Sequence, residues 1–80
     1  MYIVYVLSSI KYPNRIYIGF TQDINLRLQD HNNRKSLYSK KYAPWQIETY
    51  IVFKAKEKAK RFEKYLKKGS GHAFLKNRLI

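Results

Sequence analysis

The chain has 80 residues, with 17 Lys and Arg against 5 Asp and Glu, a net charge of +12 and no cysteine. A chain this short buries only ~60–65% of the surface its unfolded form exposes, so one modest core and a single domain over residues 1–80 are expected. Lack of cysteine excludes disulfide staples and thiolate metal sites and suits a reducing, cytoplasmic setting, while this charge on a chain that is 16% aromatic points to a polyanion, nucleic acid first.

The chain enters at once into MYIVYVL, with no basic leader and no small-residue cleavage site. No apolar run approaches the ~20 residues that cross a bilayer, so a soluble, unprocessed protein with no membrane partner is expected. Met1 to Leu7 and Arg15 to Phe20 are rich in β-branched and aromatic residues and read as strands, joined by SSIKYPN as a hairpin loop. Alternation sets Ile16, Ile18 and Phe20 toward a core and Arg15, Tyr17 and Gly19 on the other face. A regular hairpin centred near Lys11 puts Tyr5 opposite Tyr17.

Thr21 and Asp23 are capping residues ahead of INLRLQDH, a helix expected to fray at Asn32 and Asn33. Ile24 and Leu28 define its buried stripe, with Arg27 and His31 as i,i+4 neighbours along one edge and Asn25, Gln29 and Asp30 on the far side. Residues 33–45 are basic and aromatic with weak periodicity, and are expected to form a loop or irregular turn. Gln46 to Phe53 alternates as a third strand, with Ile47, Thr49, Ile51 and Phe53 together on one face. The period then becomes helical: Ala55, Ala59, Phe62 and Leu66 form a stripe, Lys56, Lys60, Lys64 and Lys67 turn outward, and Gly69 caps the helix. A last short helix over His72 to Leu79, anchored by Phe74 and Leu75, completes an α+β order of β-β-α-β-α-α.

Five acids limit the chemistry. Asp23 serves as a cap, and Asp30 and Glu57 point away from the buried stripes. Glu63 lies at the edge of its stripe, where a lone carboxylate can ligate a hard cation such as Mg²⁺, or pair with Lys60, Lys64 or Lys67. The two histidines have no metal-motif spacing, the three glycines form no phosphate loop, and no serine sits in a nucleophile elbow. What remains is tyrosine, arginine, histidine and one glutamate in a basic domain. Phosphodiester cleavage can use all four, provided neighbouring positive charge lowers the phenol from its free pKa of ~10. Each also has a purely structural reading: Tyr5 and Tyr17 as strand packers, Arg27 as a snorkelling edge residue, His31 as a charge at a helix C-terminus.

As a set these residues resemble the GIY-YIG nuclease superfamily, which includes the incision subunit of bacterial nucleotide-excision repair. Tyr17-Ile18-Gly19 matches the second signature motif, and Ile3-Val4-Tyr5 matches the first with Ile3 in place of its glycine. Arg27 stands where the family's helix arginine is expected, His31 four residues on, and Glu63 at the metal-binding glutamate; Asn77 aligns with an asparagine near the end of the domain. Phe20 follows the second motif, where some relatives carry a basic residue.

The resemblance implies a three-stranded antiparallel sheet flanked by helices, and a DNA-repair type of endonuclease using one Mg²⁺ or Mn²⁺. Within it Tyr5 or Tyr17 would act as base, Arg27 would steady the phosphate, and Glu63 would hold the ion. The expected substrate is DNA, with RNA left open, cut with structural selectivity or weak sequence preference. Arg15, Lys40, Lys41 and Tyr42 are the expected backbone-contact surface, and Trp45 is either part of it or a core anchor. The alternative is a module of the same fold that binds nucleic acid without cutting. A cutter needs Glu63 near the tyrosine and arginine; placement across the sheet from them would defeat the nuclease reading.

Overall fold

A strand that is apolar on both faces belongs in the middle of a sheet covered on both sides, and β1 (Tyr2–Ser9) holds that place in a three-stranded antiparallel sheet of order β2-β1-β3. The computed structural model describes residues 1–33 and 37–80, and the side chains of 1–33 and 39–80. β2 spans Ile16–Thr21 and β3 spans Trp45–Phe53. Helices α1 (Ile24–Asn32), α2 (Leu37–Tyr42), α3 (Lys56–Leu66) and α4 (Gly69–Phe74) follow in chain order, and α4 runs on into a wider π-helical turn over Leu75–Leu79. No helix among the described residues is long and apolar enough to cross a membrane.

One core lies on each face of the sheet. Val4 and Val6 of β1 pack with Ile16, Ile18 and Phe20 beneath Ala59 and Leu66 of α3 and Leu75 beyond α4. On the other face Tyr5 and Leu7 pack with Tyr17, Ile47 and Trp45 beneath Ile24 and Leu28 of α1. Trp45 is a core anchor, buried with its indole N–H donating to the Ser39 carbonyl at 3.0 Å. Asp23 caps α1 by accepting from the Leu26 N–H at 3.0 Å, and Thr21 braces it by accepting from the Asp23 N–H at 3.1 Å. In α3, Ala59, Phe62 and Leu66 face inward, while Ala55 is exposed just ahead of the first turn.

Four expectations need correction. The β1–β2 register pairs Tyr5 with Gly19 and Leu7 with Tyr17, so Tyr5 is not opposite Tyr17. The chain reverses at Pro13-Asn14, where the Arg15 N–H donates to the Tyr12 carbonyl at 2.8 Å, and proline favours the second position of such a turn. Moving the hairpin centre from Lys11 to Tyr12 shifts the register by two, which keeps both tyrosines on one face. In β3, Ile47 and Phe53 do not share a face: the pairing steps from Val6–Thr49 to Leu7–Ile47, and Glu48 bulges out between. Trp45 and Ile47 therefore join the α1 core and Phe53 joins the α3 core.

The stretch 33–45 is not all loop, since α2 occupies Leu37–Tyr42; residues 34–36 lie outside the described residues. Six residues are too few to hold a helix on propensity, and the Trp45–Ser39 bond shows that tertiary contact holds it. Gly69 does not cap α3. That helix closes through Lys67 and Lys68, whose N–H groups donate to the Lys64 and Tyr65 carbonyls at 3.2 and 3.3 Å. Gly69 opens α4 instead, at a φ of 44° that glycine tolerates best.

Gly19 has a specific task. The Tyr5 ring lies across it, and a Cβ there would stand 2.2 Å from the phenol oxygen and 2.3 Å from Cζ. Gly19→Ala is therefore expected to destabilise the fold by about 1–3 kcal/mol, as overpacking does. In a Tyr5→Leu background, where the obstructing ring is gone, the same substitution should cost clearly less. Thermal and denaturant unfolding of the four proteins measures the coupling; additive effects would show that the ring does not need the space.

Candidate active site

The phenol of Tyr5 is buried, because β1 is covered on both faces, and a buried hydroxyl needs a partner. Its oxygen lies 3.1 Å from Nε2 of His31, and the other ring nitrogen, Nδ1, lies 2.6 Å from the Ser39 hydroxyl. His31 reaches this position because the side chain of Asn32 ties the end of α1 to β3. Its Oδ1 accepts from the Trp45 N–H at 2.5 Å and its Nδ2 donates to the Trp45 carbonyl at 3.2 Å. Tyr17 completes an aromatic cluster, its ring centroid 4.4 Å from that of His31 and 6.4 Å from that of Tyr5, nearly parallel to the latter.

The electrostatics run against one expectation. Tyr5 holds its proton more tightly than a free tyrosine, chiefly through burial and then through Tyr17. The charge of Arg27 pulls the other way, and the carboxylates of Glu63 and Asp30 add to the rise. The surplus of lysine and arginine thus does not make Tyr5 acidic: most of that charge is in water, whereas the phenol is not. His31 is pushed below its ordinary value by burial first and by Arg27 second, with Asp30 opposing, so the imidazole is neutral at pH 7.

Arg27 is exposed on α1, with its charge felt by both Tyr5 and His31. Glu63 is less simply placed. α3 packs on the face of the sheet opposite α1, a topology that by itself would part Glu63 from the tyrosines. The two faces nonetheless meet around β2, the edge strand. Lys67, which pairs with Glu63 at 2.9 Å, lines a surface depression there together with Tyr17.

Arg15, Lys41 and Tyr42 also come together. The Arg15 guanidinium sits 5.1 Å and the Lys41 ammonium 5.5 Å from the centre of the Tyr42 ring, with Tyr12 edge-on at 5.6 Å. Lys40 is exposed on the same helix. Asn77 is exposed in the last turn.

Three neighbours escape a reading of the sequence. Ser39 bonds to His31 from a segment with no periodic signal. Asp30 is half-buried, and its charge acts on His31. Lys67 reads as a solvated lysine, although its i,i+4 spacing to Glu63 is visible. Among the described residues no three His, Asp or Glu side chains gather as a metal cage.

Residues 1–77 match the GIY-YIG catalytic domain family. A similar protein is the structure-specific endonuclease subunit SLX1 of Malassezia globosa, 34% identical over 79% of this chain. The matched region is 15% of that relative's length. The chain belongs to the GIY-YIG nuclease superfamily.

The lowered pKa of His31 has a definite sign in stability. The unfolded chain binds a proton near pH 6.5 that the folded protein resists, so stability is full above that value and falls as pH drops toward the folded pKa. Denaturant midpoints at pH 7.5 and 5.5 are expected to differ in the wild type, lower at 5.5, and to differ less in His31→Gln. An equal pH dependence in both proteins would mean that His31 is not held neutral.

Proposed function

We propose that this domain, over residues 1–80, is a metal-dependent endonuclease that hydrolyses phosphodiester bonds in DNA and selects its target by structure more than by base sequence. The observation that carries the proposal is the buried chain from the Tyr5 phenol through His31 to Ser39, with Tyr17 packed against the imidazole. Arg27, one helical turn before His31 on α1, adds a cation whose charge acts on both the phenol and the imidazole.

The tyrosine–histidine bond supports a relay. With the His31 proton on Nδ1, bonded to Ser39, Nε2 is free to accept from the Tyr5 hydroxyl. As the phenol oxygen takes a proton from the attacking water, its own proton passes to Nε2, and the imidazolium that forms is favoured by Asp30. No free phenolate is required, which suits a phenol whose pKa is raised. The choice between the two tyrosines thus falls to Tyr5, with Tyr17 packed against the acceptor ring. Arg27, exposed on the same helix as His31, would hold a phosphate oxygen and oppose the charge that builds in the transition state.

The divalent ion implied by the family fits Glu63. Mg²⁺ or Mn²⁺ keeps most of its waters and needs only one or two carboxylates, and Glu63 is a half-buried carboxylate whose charge is felt at the phenol. When bound, such an ion offsets negative charge on the phosphate and the leaving oxygen. Lys67, bonded to Oε2, offsets part of the negative charge such an ion would use, so loosening that pair would favour the ion. Arg15, Lys40, Lys41 and Tyr42 form a basic surface that suits the sugar–phosphate backbone. The relative's designation as a structure-specific endonuclease subunit supports selection by shape. Two features favour a module that binds without cutting: the Lys67–Glu63 ion pair, and the packing of α3 on the face of the sheet opposite α1.

Cleavage of labelled single-stranded, duplex, flap and branched DNA with Mg²⁺, Mn²⁺ or chelator separates the two readings. Metal-dependent cutting is expected, greatest on flap or branched substrates. Tyr5→Phe should slow it by ~10²–10⁴, the usual worth of a positioned acid–base group. Glu63→Gln and Arg27→Ala should cost at least ~10² each, with DNA binding retained in Glu63→Gln. Binding without cutting on every substrate, unchanged by Glu63→Gln, would establish the non-catalytic module instead.

A further inference from the structure

Beside β2, on its outer edge, two surface depressions of about 340 and 490 Å³ adjoin one another, sharing Ile16 and His72 as walls. The first begins at Tyr17 and is bounded by Ile18 and Lys67; the second continues past Arg15 and Lys76 to Ile80. None of the five acids lines either one. Ile16 and Ile18, packed against the core, thus supply apolar surface to a path that Arg15, Lys67, Lys76 and His72 also line and whose inner end is Tyr17.

We propose that this groove along the edge of β2 holds the DNA strand leading away from the scissile phosphate, with Lys67, Lys76 and Arg15 meeting successive phosphates and His72 beside them. The direction of the path rests on the nuclease reading above; the existence of the binding groove does not. A single strand suits it better than a duplex. A duplex offers its partner chiefly charged phosphates, whereas an unpaired strand also exposes base and sugar faces that an apolar surface accepts. Arg15 touches both this groove and Tyr42, so the groove continues the basic surface of α2 around the hairpin turn. Lys67 gives the groove a second effect: a phosphate that draws its ammonium away from Glu63 frees that carboxylate as substrate arrives.

Fluorescence anisotropy with a labelled single strand and a labelled flap, in chelator across a range of salt, tests the groove without any cutting. The proteins are the wild type, Lys67→Ala/Lys76→Ala, and a control that loses the same charge from the exposed first turn of α3, Lys56→Ala/Lys58→Ala. Each single-strand phosphate contact contributes ~0.7 to the slope of log affinity against log salt. The groove variant is expected to lose about 1.4 of slope and to bind on the order of tenfold more weakly at 0.1 M salt, while the control keeps most of both. His72→Glu, which sets a carboxylate in the groove, should also weaken binding, and thermal melts verify that all variants fold. Equal slopes in the groove and control variants, or a groove variant that binds as the wild type does, would overturn the proposal. A wild type that never cuts, with binding still lost selectively in the groove variant, would sink the nuclease reading and leave the groove standing.

Discussion

The arrangement depends on one buried hydroxyl. Tyr5 stands in the middle of the central strand, covered above and below, and leaving its hydroxyl without a partner would cost about 1–3 kcal/mol. The ring finds room only because Gly19 has no side chain, and the oxygen finds a partner only because α1 delivers His31. His31 in turn is held by Ser39, Ser39 by the indole of Trp45, and Trp45 by the side chain of Asn32, the residue after His31. The circuit runs through β1, α1, α2 and β3. Among the described residues no buried side-chain polar atom is left without a partner.

The same circuit sets the electrostatics. In a chain of net charge +12, a tyrosine near arginine would be expected to ionise easily. Burial outweighs Arg27 at Tyr5, and it also outweighs Asp30 at His31. The result is a neutral phenol against a neutral imidazole, a pair that can pass a proton but does not carry charge at rest. Exposed lysines shape the approach of a polyanion far more than they shape these two pKa values, because water screens them from the interior.

Much of this was legible in the sequence, and the parts that were not share a cause. The three strands, the capped helix with Arg27 and His31 at i,i+4, and the amphipathic α3 are local patterns, readable from period and caps. The Tyr17-Ile18-Gly19 motif and its spacing to Arg27 identified the family. The register of the hairpin, the bulge at Glu48 and the short helix α2 are decided by contacts between distant segments, which no local period records. Ser39 is the plainest case: a serine in a basic, aperiodic stretch carries no mark of the histidine it holds.

The position of Glu63 turns on how completely a small sheet separates its two faces. A helix on the opposite face would ordinarily be cut off from a site on this one by the full thickness of the sheet. Here the site lies against an edge strand, and on that strand the residue beneath the phenol is a glycine. A side chain at position 19 would collide with the phenol. Without one, the ring lies over the strand, and the Glu63 carboxylate adds only a lesser share to the rise in the phenol's pKa that burial leads. The glycine of the second motif is therefore what lets the Tyr5 ring lie over β2, and Lys67, paired with Glu63 and bordering the Tyr17 depression, stands where the edge of that strand meets the end of α3.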